Sequence, residues 1–110
     1  MALATATIKN ALASAYGTTA VQAALYTTAP SGSAGTEVTG STYARKAITW
    51  SSAVAGVVTA TVTFDVPAGV TVRGAGVHNG SGTYLDGGSV PEQPFASAGQ
   101  YTLTLTTTIS

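Results

Sequence analysis

The chain has 110 residues, of which 7% are charged, with four Lys or Arg against four Asp or Glu and no cysteine. That length makes one domain able to bury its own core, and the missing thiols exclude a disulfide framework, a thiolate zinc site and a cysteine nucleophile. A formal net charge of zero leaves no basic footprint for nucleic acid or anionic lipid, and no apolar run reaches the roughly 18 residues that span a bilayer.

The N-terminal stretch has no charge cluster followed by an apolar core, so it does not read as a secretory signal. Residues 5–16 read as the only helix, because Ile8, Ala11, Leu12, Ala15 and Tyr16 recur at helical spacing. Thr5 or Thr7 can cap its start, and Gly17 can take the left-handed position after its end. An isolated helix this short is marginal in water. The stripe Ile8/Leu12/Tyr16 is therefore expected to dock on the protein's own sheet, with another subunit as the alternative.

Residues 19–28 alternate Val21, Ala23 and Leu25 against Gln22, Ala24 and Tyr26, the period of a strand. Residues 29–41, rich in Gly, Ser and Pro, read as a long exposed loop, with Glu37 its one charge. The next strand spans residues 42–51. Its polar and apolar residues are mixed, as at a sheet edge or in a strand covered for part of its length.

The strongest periodicity is Val57–Val66, where Val58, Ala60, Val62, Phe64 and Val66 share one face and Thr59, Thr61, Thr63 and Asp65 the other. Pro67-Ala68-Gly69 then fits a turn. Residues 70–78 return as a strand in which Gly74 and Gly76 mark a bulge or the close approach of another backbone or ring. Asn79-Gly80-Ser81-Gly82 is a hairpin signal, Tyr84-Leu85 a short strand, and residues 89–99 a second irregular loop anchored by Phe95. Residues 100–109 close the chain with Tyr101, Leu103 and Leu105 opposite a Thr ladder. Six strands at this spacing predict a mainly β, single-domain chain over residues 1–110, an antiparallel β-sandwich or jelly-roll-like barrel with one short N-terminal helix.

No catalytic, metal or cofactor constellation emerges from the pattern. The carboxylates Glu37, Asp65, Asp86 and Glu92 form no local acid–base pair, and His78, the single histidine, reads as a hairpin residue. The Gly-x-Ser-x-Gly elbow is absent, and Gly74-Ala75-Gly76 leads into a hairpin rather than the helix a dinucleotide fingerprint needs. Low charge is the informative feature, since soluble domains average about a quarter charged residues and a neutral surface lacks one barrier to self-association. It predicts a protein that lives in an assembly, the alternative being a monomer solubilised by Thr and Ser hydroxyls. The candidate interface residues are Ile8, Leu12 and Tyr16 on the helix, with Glu37, Tyr43, Arg45 and Lys46.

Several phrases carry a family resemblance: Leu25-Tyr26-Thr27-Thr28-Ala29-Pro30, Gly35-Thr36-Glu37-Val38-Thr39-Gly40, Tyr43-Ala44-Arg45 with Ile48-Thr49-Trp50, and Phe64-Asp65-Val66-Pro67-Ala68-Gly69 followed by Val70-Thr71-Val72. In this order and spacing, with Ala96 to Thr104 at the end, the chain resembles a family of short virion proteins of tailed bacteriophages, especially of actinobacteria, over most of its length from about Ala20. After Val72 it departs from them, because Gly74-Ala75-Gly76-Val77-His78-Asn79 lacks the aromatic residue that often follows the second glycine.

The resemblance implies a non-enzymatic structural protein without a cofactor, on the outer surface of the virion, whose partners are the major capsid protein or tail proteins and copies of itself in a homo-oligomer or symmetric array. It transfers no functional residue. Head decoration is the expectation, because the heptads, collagen triplets or β-helical repeats of a long fibre are absent. A minor tail or tail-tip component and a carbohydrate- or receptor-binding module are the alternatives.

Overall fold

A computed structural model describes residues 5–40 and 42–109. The elements are α1 (Ala6–Thr19), β1 (Gln22–Tyr26), β2 (Lys46–Ala47), β3 (Val57–Val66), β4 (Val70–His78), β5 (Tyr84–Phe95) and β6 (Gly99–Thr108). They build two antiparallel sheets, one of four strands in the order β2-β1-β4-β5 and one of two strands, β3-β6. The fold is mainly β with six strands and one N-terminal helix, as the periodicities predict.

The core lies between the sheets, where Leu25, Val72 and Ala75 of the larger face Val62, Phe64, Val66 and Leu103 of the smaller. β3 alternates between buried and exposed along its length, from Val58 to Val66. It pairs with β6 in unbroken register from Val57↔Thr108 to Val66↔Gly99. Matched alternation on both strands puts Val58, Ala60, Val62, Phe64 and Val66 with Tyr101, Leu103 and Leu105 on the core side, while Thr59, Thr61 and Thr63 meet Thr106, Thr104 and Thr102 on the wet side.

Pro67-Ala68-Gly69 carries the chain from β3 in one sheet to β4 in the other, and Ala96–Ala98 does the same from β5 to β6. β3 and β4, and likewise β5 and β6, therefore lie in opposite sheets instead of pairing. One side of the sandwich is closed by the stretch after β2, which passes between layers: Ile48 N–H donates to Val21 O at 2.9 Å and Ser51 N–H to Thr59 O at 2.8 Å. That traffic between sheets is why the strand expected over residues 42–51 contracts to Lys46–Ala47.

Residues 89–99, expected as a loop, mostly belong to β5, which continues through Pro91 and Pro94 and pairs Thr71↔Pro94 and Val70↔Phe95. Proline is tolerated because β5 is an edge strand, where only one side needs ladder donors. Phe95 does anchor this stretch, packing half-buried against the core. The expectation for the β4 glycines holds in space. A Cβ on Gly76 would sit 2.8 Å from the Tyr26 ring and one on Gly74 would sit 2.4 Å from Pro30 Cδ, and the β4–β5 register shifts between Val72 and Gly74.

The helix departs from expectation in extent and in face. Thr5 caps it, accepting from Ile8 N–H at 3.4 Å, but it runs past Gly17 and ends where Ala20 N–H donates to Tyr16 O. Gly17 is inside it because a Cβ there would lie 3.2 Å from Trp50 Cδ1. The fully buried position is Ala13, while Ile8 and Leu12 are each 43% exposed. The helix docks through its small residues, and Asn10 Oδ1 accepts from Gly56 N–H at 2.8 Å beside them. Close approach wins over the larger stripe because the stretch after β2 presents the Trp50 ring to this face, against Gly17.

Phe64 is fully buried, so Phe64→Ala is expected to cost about 3–5 kcal/mol in denaturant unfolding. Thr63→Ala, one residue away on the wet face, should stay within about 0.5 kcal/mol of the parent. Equal effects at the two positions would mean that the facing of β3 is wrong.

Candidate functional site

Three of the residues singled out in the sequence, Glu37, Tyr43 and Arg45, come together. The loop carrying Glu37 folds back on β1, with Thr27 N–H donating to Thr36 O and Val38 N–H to Leu25 O, and Val38 enters the core. This fixes the Glu37 carboxylate over the end of β1. Arg45 holds it with Nη2 at 2.8 Å from Oε1 and Nε at 3.0 Å from Oε2, the two-pronged geometry that suits guanidinium to carboxylate. Tyr43 donates its hydroxyl to Oε2 at 2.7 Å and accepts Leu25 N–H at 3.0 Å.

The same Tyr43 ring stacks on Phe64, with centroids 6.1 Å apart and planes 13° from parallel. One side chain thus joins the apolar core to the polar cluster. Lys46, the fourth residue of the group, pairs with Ala23 in the β1–β2 register and takes no part in the cluster.

The cluster extends to two residues that the sequence reading did not place in a site. Arg45 Nη1 donates to Gly82 O at 3.3 Å, and Gly82 O lies 3.0 Å from His78 Nδ1. A carbonyl only accepts, so Nδ1 carries a hydrogen, and in the neutral ring Nε2 accepts the Tyr26 hydroxyl. His78 and Tyr26 are 2% and 1% exposed, with Tyr84 edge-on to both rings.

His78 does sit at the hairpin, but as its buried anchor. Both ring nitrogens are engaged, so the ring ties the turn to β1 and has no open face for a substrate. The signal in the sequence was Gly76, whose missing side chain makes room for Tyr26 and Tyr84.

Burial favours the neutral forms of these groups. It raises Tyr26 to about 12, with the Glu37 charge adding to the effect, and it raises Tyr43 further, offset in part by the Leu25 hydrogen bond. Both hydroxyls keep their protons at neutral pH. For Glu37, burial pushes upward, but the hydrogen bonds from Arg45 and Tyr43 and the Arg45 charge outweigh it and hold the carboxyl below its ordinary range.

The helix residues lie elsewhere. Tyr16 packs edge-on against Trp50, with centroids 5.7 Å apart, and its hydroxyl reaches Asp86 at 3.4 Å. Beside it, Leu12, Ala15, Leu85 and Ile109 line a shallow groove of about 520 Å³. A narrower slot of about 230 Å³ shares Tyr16 and Asp86 and runs on between Gly87–Val90 of β5 and Leu103–Thr107 of β6.

Among the described residues no three His, Asp or Glu side chains gather as a metal site, and no helix is long and apolar enough to cross a membrane. No family model matches the chain, and no curated protein or solved structure is similar to it.

Because the Glu37 carboxyl is lowered on folding, its contribution to stability is complete above the unfolded carboxylate pKa of about 4.3 and is lost as pH falls through the lower folded value. Glu37→Gln is expected to cost about 1–2 kcal/mol at pH 7. Loss of a buried pair would cost more, but here the side chains of Arg45 and Glu37 remain 33% and 26% exposed. The gap between parent and variant should close as unfolding is followed from pH 5 down to about pH 2.5. A gap that is constant with pH would show that the carboxylate charge is irrelevant.

Proposed function

We propose that this chain is a non-enzymatic structural protein of a tailed bacteriophage, seated on the outer surface of the particle as a head decoration or minor capsid protein. The observation that carries the reading is the outward apolar face: Ile8 and Leu12 are each 43% exposed and Leu85 is 39% exposed. They belong to a chain with four cations, four anions and no net charge. Large apolar side chains gathered on one face mark sites of association. The resemblance of Leu25–Pro30, Gly35–Gly40 and Phe64–Val72 to short virion proteins supplies the kind of assembly.

On this reading attachment is by shape and apolar contact. Four cations and four anions, of which Arg45–Glu37 and Arg73–Glu92 pair internally, leave little potential to steer or hold a partner. Burial of apolar area contributes about 25 cal/mol per Å² instead.

When the purified chain is added back to heads that lack it, occupancy should stay nearly flat between about 0.05 and 0.5 M NaCl, because salt weakens only exposed charge pairs. Leu12→Glu should abolish binding while leaving the unfolding midpoint close to that of the parent. Release of most of the protein across that salt range would overturn the apolar mode. Failure to bind heads at any salt, with binding to tails instead, would move the protein to the tail.

A further inference from the structure

β5 and β6, each at one end of its sheet, differ in how their outer edges are protected. β5 carries the usual protections of an edge: Pro91 and Pro94, the charges Asp86 and Glu92, and two shifts in its register with β4. β6 carries none of them. From Gly99 to Thr108 it has no proline and no charged residue, and its register with β3 is continuous over the whole length. Its other edge makes no backbone pairing among the described residues. A long, straight, uncharged edge is a template for another strand, and natural proteins blunt such edges unless they are used.

We propose that the free edge of β6 pairs antiparallel with β6 of a second copy across a twofold axis, joining the two-stranded sheets into one continuous sheet β3-β6-β6-β3. The occupant is a second copy because antiparallel pairing makes a strand complementary to itself, the isologous contact from which most dimers are built. The residues of β6 also allow it. A lysine or glutamate near the axis would meet its own like charge, whereas Thr102, Thr104 and Thr106 meet only hydroxyls and methyls.

The ten residues of β6 span about 34 Å at 3.4 Å per residue. They supply on the order of ten backbone hydrogen bonds. The pairing uses the purified chain alone, so it stands apart from where on a particle the protein sits.

The test is sedimentation of the full chain over a concentration series, beside one double and one single lysine variant. The parent should sediment at twice the 10.8 kDa of one chain. Thr104→Lys with Thr106→Lys, which sets like charges against each other across the axis, should weaken association at least tenfold at low salt. Thr61→Lys, on the same wet face but on β3 and opposite Thr104, should leave the dimer intact. A monomeric parent at about 100 μM, a dimer indifferent to the β6 lysines, or equal loss with the β3 lysine would each overturn the proposal. Amide exchange of the parent reads the same contact without substitution. Amides of β6 that do not bond β3 should become protected as concentration rises, and unchanged exchange there would also refute it.

Discussion

The contact on which the structure depends is the stack of Tyr43 on Phe64. Phe64 closes the core between the sheets, and the ring on top of it belongs to a residue whose hydroxyl is bonded on both sides, to Leu25 N–H and to Glu37. The apolar interior and the polar ties around it are therefore not independent. Displacing Tyr43 would uncover Phe64, release the Leu25 amide and leave the Glu37 carboxylate with Arg45 alone. An unpaired donor in a buried position costs more than its hydrogen bond contributes when made, so each part of this arrangement is held by the cost of undoing the others.

From that centre the polar chain runs outward through Arg45 and Gly82 to His78 and Tyr26. Every link ends on a backbone group or a neutral ring except the one ion pair. For a chain this poor in charge, hydroxyls, a carbonyl and an imidazole carry out the cross-bracing that salt bridges perform elsewhere. No described side-chain nitrogen or oxygen that is buried lacks a partner. The long loop before β2 is ordered by the same means, through Thr27, Thr36 and Val38, so its Gly- and Ser-rich composition marks an irregular path more than a loose one.

How far the sequence spoke depended on the range of the forces involved. The period-two alternation of Val57–Val66 and of residues 100–109 is a local signal of which face meets the core, and both strands stand where it put them. The Gly74 and Gly76 signal also held, since a missing side chain announces a neighbour even when the neighbour is unknown. The breaks came where partners are distant. Proline in Pro91 and Pro94 reads locally as a loop, and only the edge position of β5 makes it a strand. Residues 42–51 alternate poorly because they leave one sheet for the other. The helix stripe of Ile8 and Leu12 had the right period, but the choice of buried face was made by Trp50 and Gly17. Of the site, Glu37, Tyr43 and Arg45 were legible as charged and aromatic residues out of place in a Thr-rich chain. His78 and Tyr26 were not, because burial of a lone histidine is decided by what packs over it.

The two short crossings between layers, at Pro67–Gly69 and at Ala96–Ala98, also govern the order in which the molecule can assemble itself. By sending β4 and β6 each to the opposite sheet from the strand before it, they leave β4–β5 as the one pairing joined by a short turn. β1 must wait for β4, and β3 for β6, across long stretches of intervening chain. Pairings between distant segments are slow, because the entropy of closing the loop is lost before the contacts compensate it. The hairpin with Asn79 at its turn is thus the local starting point this topology offers. The β3–β6 pair, though it is the most regular part of the finished structure, belongs among the last to form, and until it does the uncharged β6 strand travels unpaired.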